Sequence, residues 1–246
     1  MKKIAIDINC DIGEGIGNEK NLLTLISSCN IACGGHTGNE ASMKETVRLA
    51  QFYNVKIGAH PSYPDMENFG RISKPILQED LIRSIQRQIR GLEAVITEEK
   101  ATLHHIKPHG ALYNDIAKNK ALAIAFLRGI AKYRTKVFLY VPFASEIEKE
   151  ALKRGFRIKY EAFADRNYNA DLSLVSRESP EALILDKEKV LCHVLEIVNR
   201  NIVRTLTGQE AKILADTFCI HSDTPLAFEI VSYLTEELPK QNIYIT

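Results

Sequence analysis

Short segments rich in β-branched residues alternate with amphipathic helical segments along nearly the whole chain of 246 residues. This order predicts repeated βα units whose strands run parallel. No linker or low-complexity tract interrupts the pattern, so we assign residues 1–246 to a single domain. The predicted strands cover residues 3–9, 28–34, 55–60, 103–108, 136–141, 157–161 and 217–221, and a weaker one covers 243–245.

Helical periodicity is clearest between Gln78 and Glu98, where apolar residues recur at helical spacing and form one face. Thr224 and Pro225 predict the N-cap and the first residue of a later helix. The long connections at 61–77 and 162–186 are candidates for binding or lid segments. Another helix is predicted from the inward-facing residues Val190, Leu191, Val194, Leu195, Val198 and Ile202.

The two faces of the predicted strands differ in polarity. In the first strand Asp7 and Asn9 share the face opposite the isoleucines, and His105, Lys107 and His109 align in the fourth. An open doubly wound sheet needs two apolar faces, whereas a barrel interior can become polar where it opens into a site. The fold class expected is therefore α/β, as an irregular seven-stranded (β/α) barrel.

Composition excludes several classes of partner. The chain has 32 basic and 31 acidic residues, so it lacks the positive excess typical of nucleic-acid and anionic-membrane binders. The longest apolar run, Ala121 to Leu127, is far shorter than the ~20 residues of a membrane helix, and we expect a cytoplasmic protein. None of the five cysteines forms a Cys-x-x-Cys pair, which argues against a disulfide framework or a zinc ribbon.

Polar residues concentrate where the predicted strands end. In a βα barrel these positions converge on the C-terminal rim, which is where active sites of this fold lie. The residues concerned are Asp11, Glu14, His36, His60, Lys107, His109, Glu161, Asp165, Arg166, His221 and Asp223.

Two chemical interpretations of these residues stay open. Asp11, His36 and His60 together offer ligands for a divalent metal ion. Alternatively, histidine and aspartate act as a general base and its orienting partner without a metal. Lys107 forms either a structural ion pair with Glu161 or Asp165, or a cationic contact for a substrate carboxylate or oxyanion. We favour the functional interpretation of Lys107.

The glycine-rich segment Gly13–Gly17 follows a strand but does not match a dinucleotide-binding loop. Its third glycine comes one residue early, and Asp11 and Glu14 would repel a pyrophosphate. The sequence also has no Gly-x-x-x-x-Gly-Lys-Ser/Thr loop. If the reaction needs ATP, this chain has no recognisable phosphate-binding loop of its own.

Several blocks of the sequence resemble the signature blocks of the LamB/YcsF family, in family order and across residues 7–225. The resemblance implies a barrel of the glycoside hydrolase/deacetylase type. It also implies a 5-oxoprolinase component, an enzyme that opens the lactam of 5-oxoproline to L-glutamate with ATP as co-substrate, in a complex with B and C subunits. The blocks are Asp7–Glu14, Asn30–Gly34, Gly58–Asp65, Phe69–Arg71, Lys107–Asn114 and Glu161–Arg166.

The resemblance also implies roles for individual residues. Lys107 or Arg166 would contact a carboxylate or oxyanion, and Asp11, His60 or His109 would activate water. The expected catalytic residues are Asp11, His60, Lys107, His109, Glu161 and Asp165. The expected substrate-binding residues are Asn9, His36, Arg71, Tyr113, Arg166, His221 and Asp223, and the candidate metal ligands are Asp11, His36 and His60.

The sequence departs from the family pattern at a few positions, which leads us to expect a changed pocket wall. Gly35 replaces a usual phenylalanine, Thr37 an alanine and Asn39 an aspartate; Leu172 and Ser222 each replace a usual glycine. Two other functions therefore stay open: a metal-dependent deacetylase or amide hydrolase acting on a small carbohydrate or lactam, and a non-catalytic subunit that binds substrate for its partners.

Overall fold

The computed structural model describes residues 3–246, and β-strands and helices alternate through most of them. The strands are β1 (Ile4–Ile12), β2 (Ser28–Ala32), β3 (Lys56–His60), β4 (Leu103–Ile106), β5 (Phe138–Pro142), β6 (Arg157–Phe163), β7 (Ile202–Arg204), β8 (Glu210–Lys212), β9 (Thr217–Cys219) and β10 (Ile243–Ile245). The α-helices are α1 (Glu19–Leu22), α2 (Glu40–Phe52), α3 (Gln78–Glu98), α4 (Gly110–Lys118), α5 (Lys120–Gly129), α6 (Glu146–Lys153), α7 (Lys187–Arg200) and α8 (Ala227–Glu237). Short 3₁₀ helices cover Ala131–Tyr133 and Leu238–Gln241.

The main sheet has eight strands in the order β10, β1, β2, β3, β4, β5, β6, β9, and β1 also pairs with β9. The sheet thus closes as the parallel seven-stranded barrel predicted from the sequence. β10 pairs with Ile4–Ile6 of β1, and β9 pairs with Asp7–Asn9 of the same strand. The two short strands therefore pair with successive parts of β1. β7 and β8 form a separate antiparallel pair.

The described chain divides into two compact units. The terminal unit comprises the described residues up to Cys10, Ile16–Ser28 and Tyr160–Thr246. The central unit comprises Asp11–Gly15 and Cys29–Lys159. Assignment of the whole chain to a single domain stays a prediction.

In the central unit the predicted helix from Gln78 to Glu98 is confirmed as α3. Its periodic face, which includes Leu81, Ile85 and Leu92, is fully buried, and the helix packs against α2 and α5. α2 begins at a capping box in which Asn39 accepts from the backbone N–H of Ser42. The departure from the family pattern at Asn39 therefore falls on an exposed helix cap, where asparagine and aspartate are equally suitable.

In the terminal unit two predicted helix limits are wrong. α7 ends at Arg200 because Asn201 adopts the left-handed conformation with φ 54°, so Ile202 begins β7 instead of extending the helix. α8 begins at Ala227, after Leu226 with φ 62°, and not at Pro225. The Thr224 hydroxyl donates to Asp165 and does not cap the helix, because a buried carboxylate competes successfully for it.

The buried thiols have structural environments. Cys10, Cys29, Cys33 and Cys219 are buried, while Cys192 is exposed. Burial raises the pKa of the Cys33 thiol to about 12, although a hydrogen bond from the His60 backbone opposes the shift. Cys33 is thus a protonated thiol at neutral pH, and a poor nucleophile.

Candidate active site

Three histidines and one glutamate meet in the central unit. Glu14 follows β1, His36 follows β2, His60 ends β3, and His109 directly precedes α4. The Glu14 carboxylate Oε1 lies 3.0 Å from His36 Nε2, 3.4 Å from His109 Nδ1 and 4.0 Å from His60 Nε2. The side chains are between 0% and 6% exposed. We call these four residues the histidine cluster.

Backbone carbonyl groups fix two of the rings. His60 Nδ1 donates to the carbonyl oxygen of Lys107 at 2.8 Å, and His109 Nε2 donates to that of Phe69 at 2.9 Å. A carbonyl oxygen only accepts, so each neutral ring carries its proton on the nitrogen that faces the carbonyl. The other two nitrogens, His60 Nε2 and His109 Nδ1, lie 2.9 Å apart and face each other with lone pairs.

Burial keeps the rings of His36 and His109 neutral. It lowers the pKa of His36, although the hydrogen bond with Glu14 opposes the shift. Burial, together with the neighbouring His60, lowers the pKa of His109 well below its usual range. At neutral pH both rings therefore present an unprotonated nitrogen, which suits them to accept a proton or to bind a cation.

The long connection at 61–77 packs onto the histidine cluster. The rings of His36 and His109 stack with centroids 3.6 Å apart, and the Phe69 ring lies edge-on to both at 5.1 and 5.5 Å. Gly70 has φ 64°, and a Cβ there would lie 2.9 Å from His36 Cβ and 3.1 Å from His109 Cδ2. Only glycine lets the connection approach the two rings so closely.

Asp11 and Lys107 form a buried ion pair beside the histidine cluster. Lys107 Nζ lies 2.8 Å from Asp11 Oδ1, and Asp11 Oδ2 lies 3.3 Å from His60 Nε2. The Asn30 amide donates to Asp11 Oδ1 at 2.8 Å, while its oxygen accepts from His105 Nε2 at 2.7 Å. Side chains from successive strands thus hold the aspartate in one orientation.

In the terminal unit Asp165 and His221 form a second polar pair. Asp165 is fully buried and accepts from the backbone N–H of His221, from His221 Nδ1 at 3.1 Å and from the Thr224 hydroxyl. Burial opposes ionisation, but the neighbouring His221 and these hydrogen bonds outweigh it and lower the pKa of Asp165 to about 2. Because Nδ1 donates to Asp165, the neutral His221 ring keeps Nε2 as an acceptor, which is the orientation of a general base.

Asn9 and Glu161 also lie in the terminal unit. The Asn9 amide donates to Glu161 Oε1 at 3.0 Å and to the Thr217 hydroxyl at 2.8 Å. Thr217 and Ser28 both donate to Asp7 Oδ1 at 2.6 Å. The polar strand face expected at Asp7 and Asn9 is therefore a network of buried hydrogen bonds.

The other predicted binding residues have varied environments. Arg166 is buried and donates to the carbonyl oxygens of Ala182 and Val175, so two of its donors hold the long connection at 162–186. Arg71 lies over the Phe69 ring, Tyr113 is buried in α4, and Asp223 pairs with the partly exposed Arg177. Their roles in substrate binding stay predictions.

Sequence reasoning placed Glu14 at a strand end, His105 on a polar strand face and Asn30 in a family block, but it gave none of the three a role. The signal for Glu14 was its position after β1, inside the block Asp7–Glu14. A role for Asn30 and His105 beside Asp11 could have been inferred from strand phase, since both lie on the polar face of their strands. One group of described residues suited to a metal ion is Glu14, His36, His60 and His109, whose ligand atoms all lie within 4.8 Å of one another.

Of the predicted metal ligands, His36 and His60 belong to this group, and Asp11 lies next to it through its 3.3 Å contact with His60. The set Asp11, His36 and His60 stays a prediction.

The strands form a parallel barrel, and buried imidazoles, carboxylates and a lysine lie at the strand ends. This combination is typical of α/β-barrel enzymes. The model of the LamB/YcsF family matches residues 6–246. The chain belongs to that family, as its sequence blocks predicted.

Curated relatives and a solved structure agree with the family assignment. The chain is 40% identical to the A subunit of the 5-oxoprolinase of Thermococcus sibiricus and 38% identical to that of Pyrococcus furiosus, each time over 98% of this chain and 96% of the relative. It is also similar to the crystal structure of a lactam utilization protein from Thermus thermophilus. That match has a TM-score of 0.90, 34% identity, and coverage of 98% of this chain and 99% of the other.

The described residues include no helix that is both long enough and apolar enough to span a lipid bilayer.

Proposed function

We propose that this chain is the A subunit of an ATP-dependent 5-oxoprolinase and opens the lactam of 5-oxoproline to L-glutamate together with B and C subunits in the cytoplasm. The names of the relatives support the reaction and an enzyme of several subunits. The observation that carries the proposal is the buried Asp11–Lys107 pair in contact with His60, because it combines a base, a cation and a proton carrier within one dry site.

ATP activates the carbonyl carbon of the lactam toward attack by water. A five-membered lactam has little ring strain and keeps its amide resonance, so its carbonyl carbon resists water. Transfer of the γ-phosphoryl group to the carbonyl oxygen makes that carbon electrophilic. Water then adds, the ring C–N bond breaks with its electron pair on nitrogen, and a second water releases phosphate from the acyl phosphate. Since the sequence has no phosphate-binding loop of its own, we assign ATP binding to the complex with the partner subunits.

We assign the hydrolytic chemistry in the central unit to Asp11, His60, His109 and Lys107. Asp11 takes the proton of the attacking water, and the two histidines orient that water. Lys107 leaves its ion pair to stabilise the substrate carboxylate or the oxyanion that develops at the carbonyl. Lys107 suits this role better than Arg166, because two donors of Arg166 already bind loop carbonyl oxygens.

The terminal unit provides further candidates, which we propose for separate tests. We assign catalytic roles to Glu161 and Asp165, with His221 oriented by Asp165 as a proton-transfer group. Substrate contacts are assigned to Asn9, His36, Arg71, Tyr113, Arg166, His221 and Asp223.

An omission experiment tests the proposed function. We expect glutamate to form from 5-oxoproline only when this chain, the B and C subunits and ATP are all present. Lys107→Met should abolish that reaction, whereas Lys212→Met, at an exposed position in β8, should leave it unchanged. Hydrolysis by the isolated chain without ATP would contradict the proposal.

The histidine cluster favours one second candidate, a metal-dependent hydrolase of a small amide or acetylated sugar. Such an enzyme would act without ATP and without partner subunits, and it would lose activity when treated with a chelator. The same omission experiment separates the two, since only the second candidate predicts turnover by the isolated chain.

A further inference from the structure

The facing nitrogens of His60 and His109 need an electrophile between them. They lie 2.9 Å apart, and the second nitrogen of each ring donates to a backbone carbonyl oxygen. Two lone pairs at that distance repel each other unless a proton or a metal ion lies at the junction. Histidines that bind metals usually donate their other ring N–H to a carbonyl or carboxylate, and this is the arrangement of both rings.

Glu14 and His36 place two further ligand atoms next to the facing nitrogens of His60 and His109. Glu14 Oε1 lies 3.0 Å from His36 Nε2 and 3.4 Å from His109 Nδ1. In a tetrahedral zinc site with metal–nitrogen bonds of about 2.0–2.1 Å, neighbouring ligand atoms are about 3.3 Å apart. The distances in the cluster fall on both sides of this value, so small side-chain movements suffice to surround an ion. His36 Nδ1 has no hydrogen-bond partner among the described residues, so the ring proton can move to it and release Nε2 as a ligand.

The geometry points to a zinc site formed by Glu14 Oε1, His36 Nε2, His60 Nε2 and His109 Nδ1. Three imidazoles and one carboxylate form a donor set that favours zinc over calcium or magnesium. The site is nearly inaccessible to solvent, and Phe69 and Gly70 hold the stacked rings of His36 and His109 in place. This inference depends on the cluster geometry and holds whichever reaction the chain catalyses.

The ion also has a consequence for the proposed reaction, since His60 and His109 would then hold the metal and would no longer orient the attacking water themselves. It would lie beside Asp11, because Asp11 Oδ2 is 3.3 Å from the ligand atom of His60. Because the four side chains fill a tetrahedral site, a bound zinc ion would polarise a carbonyl group or acidify a water molecule only by accepting it as a fifth ligand. Asp11 then lies next to the bound ion, where it can accept a proton from the attacking water.

The test measures metal binding by the isolated chain, produced without a histidine tag. After chelator treatment and dialysis, we expect Zn²⁺ titration in a calorimeter to give one saturable site per chain. Co²⁺ should bind with the intense visible absorption of a tetrahedral site. Glu14→Gln and His109→Asn should each weaken Zn²⁺ binding by at least about 100-fold, since each removes a ligand.

His193→Gln serves as the matched control, because His193 is buried and hydrogen-bonded to a backbone carbonyl in the terminal unit, outside the cluster. It should keep full Zn²⁺ affinity. Circular dichroism and thermal unfolding confirm that each variant is folded, and Zn²⁺ should raise the melting temperature only where the site is intact. Absence of saturable binding by the folded wild-type chain, or unchanged affinity in Glu14→Gln and His109→Asn, would overturn the inference. Either result leaves the 5-oxoprolinase proposal standing, since that proposal is tested by turnover.

Discussion

The amino group of Lys107 lies 2.8 Å from the carboxylate of Asp11, and the two residues are only 2% and 4% exposed. Removing one partner of a buried ion pair leaves the other charge uncompensated, which costs about 3–5 kcal/mol. We therefore expect Asp11→Asn and Lys107→Met each to lower the free energy of unfolding by that amount. Urea denaturation at neutral pH measures it.

The double variant Asp11→Asn/Lys107→Met provides the control for this pair. Because it removes both charges together, it should be more stable than the sum of the two single losses predicts. Its activity should nevertheless stay abolished. Strict additivity of the two losses would show that the contact contributes nothing to stability.

Stability at acidic pH should depend on Asp165. Its pKa is about 2 in the folded chain, below the ordinary value of 3.8, so its contribution is present above about pH 4 and is lost as the pH falls toward 2. The shift corresponds to about 2 kcal/mol. Asp165→Asn should remove this part of the pH dependence of the unfolding free energy, and the exposed Glu178→Gln should not. Equal slopes for wild type and Asp165→Asn would contradict the interpretation.

Gly70 should be specifically required for the histidine cluster. Gly70→Ala adds a left-handed backbone penalty of about 1–2 kcal/mol and a Cβ that overlaps His36. Gly208→Ala is the matched control, because Gly208 also has positive φ but a Cβ there meets no atom within 4 Å. Both variants should lose stability in thermal unfolding, while only Gly70→Ala should also lose turnover in the complex at temperatures where it is folded. Equal turnover in the two variants would show that the close approach is not needed.

The departure from the family pattern at Gly35 should be coupled to Gln88. A Cβ at Gly35 would lie 2.3 Å from Gln88 Oε1, and the Gln88 amide also binds the backbone of Ser62 in both directions. Gly35→Ala displaces this amide and leaves buried groups unpaired, at a cost of about 1–3 kcal/mol. Gln88→Ala should cost a similar amount. The Cβ would still meet Ser62 Oγ at 2.3 Å in the double variant, which should therefore be less stable than Gln88→Ala but should lose less than the sum of the two single losses. A fully additive double variant would contradict this coupling.

Most strand positions along the chain and the polar strand faces could be predicted because they follow from local periodicity, whereas β7 and β8 were not predicted. The alternation at Asp7 and Asn9 has a period of two, and the apolar face of α3 has a helical period, so both are present in the sequence itself. His60 and Lys107 could be placed in the site because His60 ends β3 and Lys107 directly follows β4.

The remaining features depend on contacts between residues that are distant in sequence. Thr224 is of a residue type that often caps helices, but its hydroxyl donates to Asp165 and the helix begins later. Glu14 lies in a glycine-rich turn, whose side-chain direction has no periodic signal, and its partners His36 and His109 come from other turns. Such pairings arise only from tertiary structure.

Turnover by an Asp11 variant tests the central claim most directly, because it separates a catalytic subunit from one that only binds substrate. The measurement is ATP-dependent glutamate formation from 5-oxoproline by the complex of this chain with B and C subunits. We expect Asp11→Asn to lower the rate at saturating substrate by at least about 10²-fold, the usual contribution of a general base, while the variant still assembles with its partners. A complex containing Asp11→Asn that turns over at the wild-type rate would contradict the catalytic role of this carboxylate.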